Sequence, residues 1–367
     1  MKILFLTLKA FSATGGIEKI CRVAGRAMYE YTITSREEFT MYSLYDAKNI
    51  DTQPYLPSHI FKGFAGAKIG FVIRSLREGI KSRVVVLSHI NLLLPAYLIK
   101  LFSSKTKVVL LANGIETGKP LSLSKKKILQ RIDLIISGSD FIKEKIKVLY
   151  NIPEEKCCVL NNCLDPFLPP LADKSRRTEC RSIYGIAEND FVLMTMSQLS
   201  KEKSTGYDKV LIAVKKLHAL FPNVKYLFVG KYDDAEKVRL DSVINDLGIE
   251  DHVIFTGFVP NGVLADYYNM ADLYIIPNEK EGFGFPFIEA LYYNKPVIAG
   301  KGHSITDNTY GNSLGTLIDL SSQENITTAI QKIITNVKAF MPDRELVMEK
   351  FSYPVYKNNW KKILDEI

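Results

Sequence analysis

Hydrophobic residues in the first half of the chain fall into short runs separated by stretches with helical spacing. The runs of strand length are Lys2–Leu8, Val84–Ser88, Val108–Leu111 and Leu134–Ser137. Apolar residues from Ile17 to Met28 recur with a helical period, and helical stretches also lie between the later runs. Short buried strands that alternate with helices predict a parallel sheet covered by helices.

The alternation stops between about residues 164 and 185. Asp165 to Pro170 contains three prolines in six residues, which cannot continue a regular helix or strand. The stretch from Lys174 to Arg181 is strongly charged and has no apolar run. We therefore expect an interdomain linker over these residues.

Strand and helix patterns then resume, with a helix expected from Tyr207 to Leu220. The last segment, Phe351 to Ile367, has helical spacing and places Tyr356, Trp360 and Ile363 on one face. The chain is thus expected to form two doubly wound domains, whose carboxyl strand edges face a shared cleft. The strands expected in the second domain are Phe191–Met196, Lys225–Val229, Val253–Thr256, Leu273–Ile276 and Val297–Ala299.

Length and cysteine content narrow the class of protein. A chain of 367 residues is long enough to form two domains. Its five cysteines have irregular spacing, which indicates neither a disulfide framework nor a zinc site. No segment resembles a signal peptide, and the most apolar window, Ile90 to Leu101, is too short to span a bilayer. We expect a cytoplasmic protein.

Positive charge is concentrated in the first half of the chain. Residues 1–170 hold 25 Lys and Arg against 14 Asp and Glu, whereas the remainder holds 23 against 26. This pattern fits either an ordinary solvated surface or a face that meets anionic lipid or a phosphorylated acceptor. Aromatic residues are not interleaved with the basic ones, so nucleic acid is not expected as a partner. The clustered basic residues are Lys68, Arg74, Arg77, Lys81, Arg83, Lys100, Lys105, Lys107, Lys125, Lys126, Lys127 and Arg131.

The segment from Glu281 to Glu289 carries the strongest chemical signal. It follows the expected strand Leu273–Ile276, and its Gly282 and Gly284 permit a tight turn. A helix that begins at the end of a parallel strand favours phosphate and sugar oxygens. In that context Glu281 can accept hydrogen bonds from sugar hydroxyls and Glu289 can reach a ribose. Isolated surface glutamates at this spacing would carry no such meaning.

The chain resembles the family-4 glycosyltransferases with the GT-B fold over nearly its whole length. The Glu281–Glu289 segment matches the family's motif of two glutamates separated by seven residues, and Gly15–Lys19 is similar to its glycine loop after the first strand. Further matching segments are Val229-Gly230, Phe255–Pro260, Ala271–Pro277, Pro296–Ala299, Gly315–Asp319 and Phe351-Ser352 with Trp360.

The resemblance implies an α/β architecture of two Rossmann-like domains. An acceptor-binding domain at 1–167 and a nucleotide-sugar-binding domain at 168–350 would face a central cleft, with a helix at 351–367 that returns to the first domain. It implies retaining transfer of a hexose from a UDP- or GDP-sugar to a hydroxyl of a glycan or lipid-linked acceptor. Neither a cofactor nor a metal is implied. Synthesis of a surface polysaccharide such as lipopolysaccharide, at the inner face of the membrane, is the expected setting.

The resemblance also assigns roles to individual residues. Catalytic roles fall to Glu281, Asn113 and Lys203, and His89 is expected near the acceptor. No metal ligand is assigned. The expected donor-binding residues are Gly16, Gln198, Lys201, Thr205, Gly230, Phe258, Val259, Gly282, Phe283, Gly284 and Glu289.

Three positions depart from the family pattern. Gln198 and Thr205 stand where an Arg and a Lys usually hold the donor diphosphate, and Asn113 stands where a His is common. Cationic groups matter here because the departing nucleotide gains negative charge. Either Lys201 or Lys203 substitutes for them, or neutral hydrogen bonds hold the donor, or catalysis is lost. The last option makes the chain a degenerate GT-B module that binds nucleotide sugar or glycan, or supports an active partner.

Overall fold

The computed structural model divides into two compact units, Met1–Phe167 joined by Phe351–Ile367, and Leu168–Lys350. Each unit is built on one parallel sheet with helices on its faces. The binding roles expected for the two domains stay predictions. The residues that the structure describes are 1–113, 121–170, 174–199, 206–277, 284–301, 309 and 313–367.

The first unit contains a seven-stranded sheet with the spatial order 3-2-1-4-5-6-7, in which every neighbouring pair is parallel. Its central strands are apolar throughout because helices cover both faces, as in the four buried residues of Val84–Leu87. The strands are β1 (Lys2–Thr7), β2 (Glu38–Ser43), β3 (Phe61–Gly63), β4 (Val84–Leu87), β5 (Lys107–Ala112), β6 (Leu134–Ser137) and β7 (Cys157–Val159).

Helices form one apolar layer on each face of this sheet. On one face Met28 packs in the same cluster as Trp360 and Leu364 of the C-terminal helix, and on the other Phe71 packs with Ile99 and Ile146. The helices of the unit begin with α1 (Gly16–Ser35), α2 (Lys68–Gly79), α3 (Leu93–Phe102), α4 (Leu123–Leu129) and α5 (Asp140–Tyr150).

The second unit contains a six-stranded parallel sheet with the order 10-9-8-11-12-13. Its strands are β8 (Phe191–Met196), β9 (Val224–Val229), β10 (Val253–Phe255), β11 (Leu273–Ile276), β12 (Val297–Gly300) and β13 (Thr316–Ile318). Its helices are α6 (Lys174–Ile183), α7 (Tyr207–His218), α8 (Asp234–Leu247), α9 (Leu264–Met270), α10 (Phe285–Tyr292), α11 (Gln323–Thr335) and α12 (Arg344–Phe351), the last ending in the first unit.

The charged stretch expected to be part of a linker is a docked helix, so that prediction was wrong. In α6 the guanidinium of Arg181 is buried and donates to the carbonyl of Met270 and to a carboxylate oxygen of Asp272. Arg176 pairs with Asp266 at 2.8 Å, and Arg177 pairs with Asp272 at 2.7 Å. The charges therefore attach the helix to α9 and to the start of β11 instead of keeping it in solvent.

The chain ends in a helix, α13 (Tyr353–Glu366), that belongs to the first unit, which confirms the expected return of the C-terminus. It packs against α1, where the hydroxyl of Tyr31 donates to Asp365 at 2.9 Å. Tyr356, Trp360 and Leu364 are its buried residues. The buried face of α13 thus repeats every four residues, and its third buried residue is Leu364 instead of the expected Ile363. Among the described helices, none combines the length and apolar character needed to cross a bilayer.

Leu364→Ala should lower the free energy of unfolding of the first unit by about 2–5 kcal/mol, because it leaves a cavity between α13 and α1. Trp360 is the only tryptophan of the chain, so its fluorescence during denaturant unfolding reports on this unit. The exposed neighbour Lys361 gives the control, and Lys361→Ala should stay within about 0.5 kcal/mol of the wild type. Equal unfolding midpoints for the two variants would contradict the packing.

Candidate functional site

Close backbone contacts join three turns at the carboxyl edge of the second sheet. Gly230 follows β9 with a φ of 136°, and a Cβ atom there would overlap the carbonyl oxygen of Ser197, which follows β8. Gly206 precedes α7 with a φ of 100°, and a Cβ atom there would overlap the carbonyl oxygen of Pro277, which follows β11. Only glycine fits at both positions, so this edge presents backbone where a ligand can approach closely.

The turn after β10 joins the same group. The N–H of Gly230 donates to the carbonyl of Gly257 at 3.0 Å, and Gly257 itself has a φ of 72°. Phe258 is half exposed, and the ammonium group of Lys231 lies 4.7 Å from the centre of its ring. Val259 is buried. The structure therefore brings together three expected donor-binding residues, namely Gly230, Phe258 and Val259.

Lys231 is a cation at this edge that the sequence analysis did not single out. Its carbonyl accepts from the N–H of Leu199 at 2.9 Å, so it sits beside the turn that carries Gln198. Gln198 is exposed and directly precedes Leu199. The one signal in the sequence was the position of Lys231 immediately after the turn glycine Gly230.

Glu289 is held in place from α9. Helix α10 begins after Gly284, whose φ is 73°, and carries Pro286 in its first turn. Glu289 is only 2% exposed, and the hydroxyl of Tyr268 donates to its Oε2 at 3.1 Å. Burial, followed by the charge of Glu289, raises the pKa of Tyr268 well above its ordinary value, so the phenol stays a donor. A buried carboxylate with a fixed donor is a preorganised hydrogen-bond acceptor.

Two charged residues shape the loop after β1 in the first unit. The carboxylate of Asp46 accepts from the backbone N–H groups of Ala10 at 2.7 Å and Ser12 at 2.8 Å. The guanidinium of Arg22 donates to the carbonyl of Ala10 at 2.6 Å. Both charged residues are buried, and together they fix the path of the chain into α1, which begins at Gly16. The sequence signal for this buried anchor was an arginine within the apolar face expected for the helix.

His89 and Asn113 lie together where β4 and β5 end. The side-chain amide of Asn113 donates to the carbonyl of Ser88 at 2.9 Å, and Nδ1 of His89 accepts from the N–H of Asn91 at 3.0 Å. Burial and the nearby ammonium group of Lys125 lower the pKa of His89, so its imidazole is neutral at pH 7. With Nδ1 accepting, the proton of the neutral ring is on Nε2.

Some of the expected site residues lie outside the described residues. They are Lys201, Lys203, Thr205, Glu281, Gly282 and Phe283. Within the described part of the chain, His, Cys, Asp and Glu side chains do not gather in groups of three that could hold a metal ion.

Two Rossmann-like units with parallel sheets and a helix at the C-terminus define the fold of GT-B glycosyltransferases. The structure of Anabaena Alr3699/HepE in complex with UDP has a TM-score of 0.83 to this chain at 19% identity, with all of both chains covered. The glycosyltransferase from Rickettsia africae has a TM-score of 0.79 at 16% identity, with 99% of this chain and 98% of its own covered. At such identities the likeness shows the fold.

Residues 176–344 match the family model of glycosyl transferases group 1. A GDP-mannose-dependent alpha-(1-6)-phosphatidylinositol monomannoside mannosyltransferase from Mycolicibacterium smegmatis is 28% identical over 46% of this chain and 47% of its own. An alpha-monoglucosyldiacylglycerol synthase from Acholeplasma laidlawii is 27% identical over 37% of this chain and 33% of its own. The chain thus spans about half the length, or less, of these curated relatives. The residues that match the family model lie within the second unit, and each of these relatives is similar to less than half of this chain.

Gly230→Ala should loosen the carboxyl edge of the second sheet, because the conformation alone costs about 1–3 kcal/mol and the new methyl group overlaps Ser197. Amide hydrogen exchange in β9 should become faster. Gly262 offers a matched control, since a Cβ atom there meets nothing within 4 Å and its φ is not positive. Equal exchange in Gly230→Ala and Gly262→Ala would show that the turn is not constrained in this way.

Asp46→Asn should lower the free energy of unfolding of the first unit by about 1–3 kcal/mol at pH 7. Burial alone would raise the pKa of Asp46, but hydrogen bonds from Ser12 and from backbone N–H groups outweigh it and hold the pKa below its ordinary value. A lowered folded-state pKa means that the carboxylate stabilises the fold above the unfolded-state pKa of about 4 and loses this effect in more acidic solution.

The difference between wild type and Asp46→Asn should therefore shrink as the pH falls below about 4. Denaturant unfolding followed by Trp360 fluorescence measures it across the pH range. The exposed carboxylate of Asp51 provides the comparison, because Asp51→Asn removes the same charge without the buried contacts. A gap that is independent of pH would mean that Asp46 does not act through its charge.

Proposed function

We propose that this protein is a retaining glycosyltransferase that moves a hexose from a UDP- or GDP-sugar to a hydroxyl of a glycan or glycolipid. The observation that carries the proposal is the anchored carboxylate of Glu289, which lies in the helix after β11 beside turns that expose their backbone. Its Oε2 is fixed by Tyr268, and Gly206 and Gly230 hold the neighbouring turns in contact. A ribose needs such a fixed acceptor, and a diphosphate needs close backbone N–H groups.

In the proposed reaction the acceptor hydroxyl oxygen bonds to the anomeric carbon while the bond from that carbon to the leaving phosphate oxygen breaks. The hydroxyl proton passes to the departing diphosphate on the same face of the sugar. Glu281 would contact the transferred sugar, and Glu289 would hold the ribose. The protein mainly orients the two substrates and stabilises the charge that develops on the leaving group.

The proposed reaction needs a cation that stabilises the charge on the leaving diphosphate. Gln198 is neutral and exposed, and Lys201 and Lys203 lie outside the described residues. Lys231 stands beside the Gln198 turn and over Phe258, so we add it to the proposed donor contacts. A lysine reaches a phosphate as a flexible point charge, whereas the arginine usual in the family would bind with two hydrogen bonds.

The acceptor is proposed to be lipid-linked. The mannosyltransferase and the synthase are both named for a glycolipid, and the positive charge of this chain lies in the half expected to bind the acceptor. Synthesis of a surface polysaccharide such as lipopolysaccharide, by an enzyme peripheral to the inner face of the membrane, is consistent with both observations.

A catalytically degenerate GT-B module is the second candidate. It is favoured by Gln198, which removes a cation, and by Asn113, whose side-chain amide already donates to the carbonyl of Ser88. Such a module would bind nucleotide sugar or glycan without turning it over. The retained and anchored Glu289 argues for the enzyme.

Release of UDP or GDP from a panel of nucleotide sugars, with and without crude lipid acceptors, tests the proposal. Glu281→Ala should lower turnover by about a hundredfold. Glu289→Gln should weaken UDP or GDP binding by about ten- to hundredfold, because a hydrogen bond to a charged group is lost. Glu324 is exposed in the same unit, so Glu324→Gln serves as the matched control and should behave as the wild type.

Each result of this assay selects one reading. Release that depends on Glu281 supports the transferase, and the active donor identifies sugar and base. Thermal stabilisation by UDP or GDP without release supports the degenerate module. The absence of both effects would overturn nucleotide-sugar binding altogether.

A further inference from the structure

Helix α2 presents isoleucines to solvent along one side. Ile69 is 78% exposed and Ile73 is 62% exposed, and Ile80, which follows the helix directly, is 38% exposed. Their spacing of four and seven residues puts them on one stripe. The opposite side of the helix is the buried one, where Phe71, Ser75 and Gly79 face the sheet. An apolar stripe that faces away from the core has no role in folding this unit.

Helix α3 extends the same apolar surface. It packs against α2, closely enough that a Cβ atom on Gly79 would overlap the side chain of Ile99. Leu94 and Leu101 are each 55% exposed, and Phe102 is 71% exposed. The six exposed residues on the two neighbouring helices form what we call the docking face: Ile69, Ile73, Ile80, Leu94, Leu101 and Phe102.

The segment that carries the docking face is strongly basic. Residues 68–107 contain eight lysines and arginines and a single acid, Glu78, a net charge of +7 in a chain whose total is +8. Arg83 pairs with Glu37, and Lys100 pairs with Asp133, so these two cations are neutralised locally. Arg77 is exposed on α2 and lies between Arg74 and the isoleucine stripe around the helix axis, by the helical period.

A basic pocket adjoins α2 at the edge strand β3. Its volume is about 350 Å³. The guanidinium of Arg74 is held there, since its Nε donates to the hydroxyl of Tyr42 at 3.2 Å and its NH2 pairs with Glu78 at 3.3 Å. Glu78 also lines the pocket and pairs with Lys2 at 2.8 Å, and the remaining cationic or titratable residues of the lining are Lys48, His59 and Lys62.

We propose that the docking face inserts into a bilayer of anionic phospholipid and that the basic pocket takes the phosphate of one headgroup. Aliphatic and aromatic side chains at this depth enter the boundary of the acyl chains, while lysines and arginines around them meet the anionic surface. The inference rests on the proposed function, because it supplies the surface that would bring the enzyme to a lipid-linked acceptor.

Charge argues against a second copy of the chain as the occupant. In a symmetric dimer the same patch lies on both partners, so this face would oppose its own net positive charge with one acid on each side. Like charges in an interface are unfavourable. An anionic bilayer offers both an apolar interior and the complementary charge.

Co-sedimentation of the full chain with vesicles tests the proposal. Binding is expected to vesicles of phosphatidylcholine with phosphatidylglycerol, to be weak to phosphatidylcholine alone, and to fall with added salt. Equal binding to both vesicle types, or none to either, overturns the docking. Concentration-dependent dimerisation without vesicle binding assigns the face to a second copy and also overturns it.

Substitutions locate the contact. Ile73→Ser combined with Phe102→Ser should weaken vesicle binding by about tenfold or more, because fewer apolar groups are inserted. Val148 is 81% exposed on α5, outside the face, so Val148→Ser is the matched control. Arg77→Glu should weaken binding to anionic vesicles by about thirtyfold, whereas Lys216→Glu, on the exposed surface of the second unit, should not. Equal losses in variants and controls would contradict the assignment.

The pocket has its own test. Lys62→Ala should reduce binding to anionic vesicles, and inorganic phosphate alone should compete with the vesicles for the wild type more than for this variant. Binding of inorganic phosphate at low concentration by protein that does not bind vesicles would identify a soluble phosphate site and overturn the headgroup assignment. An unchanged vesicle affinity in Lys62→Ala would also remove the pocket from the proposal.

Nucleotide binding keeps this inference separate from the proposed function. The docking variants should retain the thermal stabilisation by UDP or GDP that the wild type shows. Vesicle binding without nucleotide-sugar turnover would leave the docking face in place and overturn the transferase. Turnover of nucleotide sugar with no vesicle binding would support the transferase and overturn the docking face.

Discussion

Backbone packed directly against backbone is the constraint on which the carboxyl edge of the second sheet depends. Gly230 touches the carbonyl of Ser197, and Gly206 touches that of Pro277, so three turns from three strands share one small volume. No side chain fits between them. The result is a surface of main-chain groups whose positions are set by the sheet, and on which Glu289, anchored by Tyr268, is the fixed charged acceptor. A site for a diphosphate and a ribose needs this kind of rigidity, because it must bind the donor without reorganising during transfer.

The first unit obtains a fixed loop by a different route. Two buried charges, Asp46 and Arg22, hold the chain after β1 through its backbone N–H and carbonyl groups. Each charge is compensated by several hydrogen bonds, which is the condition for burying it at all. Glycine contacts tolerate no larger residue, whereas a charged anchor tolerates sequence change in the loop that it holds. The two units thus reach defined loops by steric and by electrostatic means.

The sequence was a good guide wherever apolar character and burial coincide. Central strands such as Val84–Leu87 and Leu273–Ile276 could be predicted because both of their faces are covered. The edge strands Phe61–Gly63 and Cys157–Val159 could not, since three residues carry no period. The charged segment of α6 was misread because its arginines are satisfied by partners about ninety residues away, which no local pattern reveals.

The residues of the candidate site likewise divide into those that the sequence predicts and those that it does not. Gly230 and Gly284 were predictable because their turn follows a strand and a positive φ demands glycine. Tyr268, Asp46 and Lys231 were not, because each acts through a contact made only in the folded chain. Local chemistry therefore predicts where a ligand can approach, while the groups that orient it depend on the tertiary structure.

The departures from the pattern of the family that this chain resembles can be explained by where its positive charges lie. Gln198 removes a cation from a turn whose neighbour, Lys231, is hydrogen-bonded to it through the backbone at Leu199. A charge moved from one turn to the adjacent one would still act on a diphosphate, because exposed charges attract one another within a screening length of about 8 Å at physiological ionic strength. The geometry of binding differs, because an ammonium group cannot form the two parallel hydrogen bonds that a planar guanidinium makes with a phosphate. Under the proposed function, Lys231 attracts the diphosphate without the two-bond fit that would orient it, and the orientation of the donor depends correspondingly more on the contact between Glu289 and the ribose.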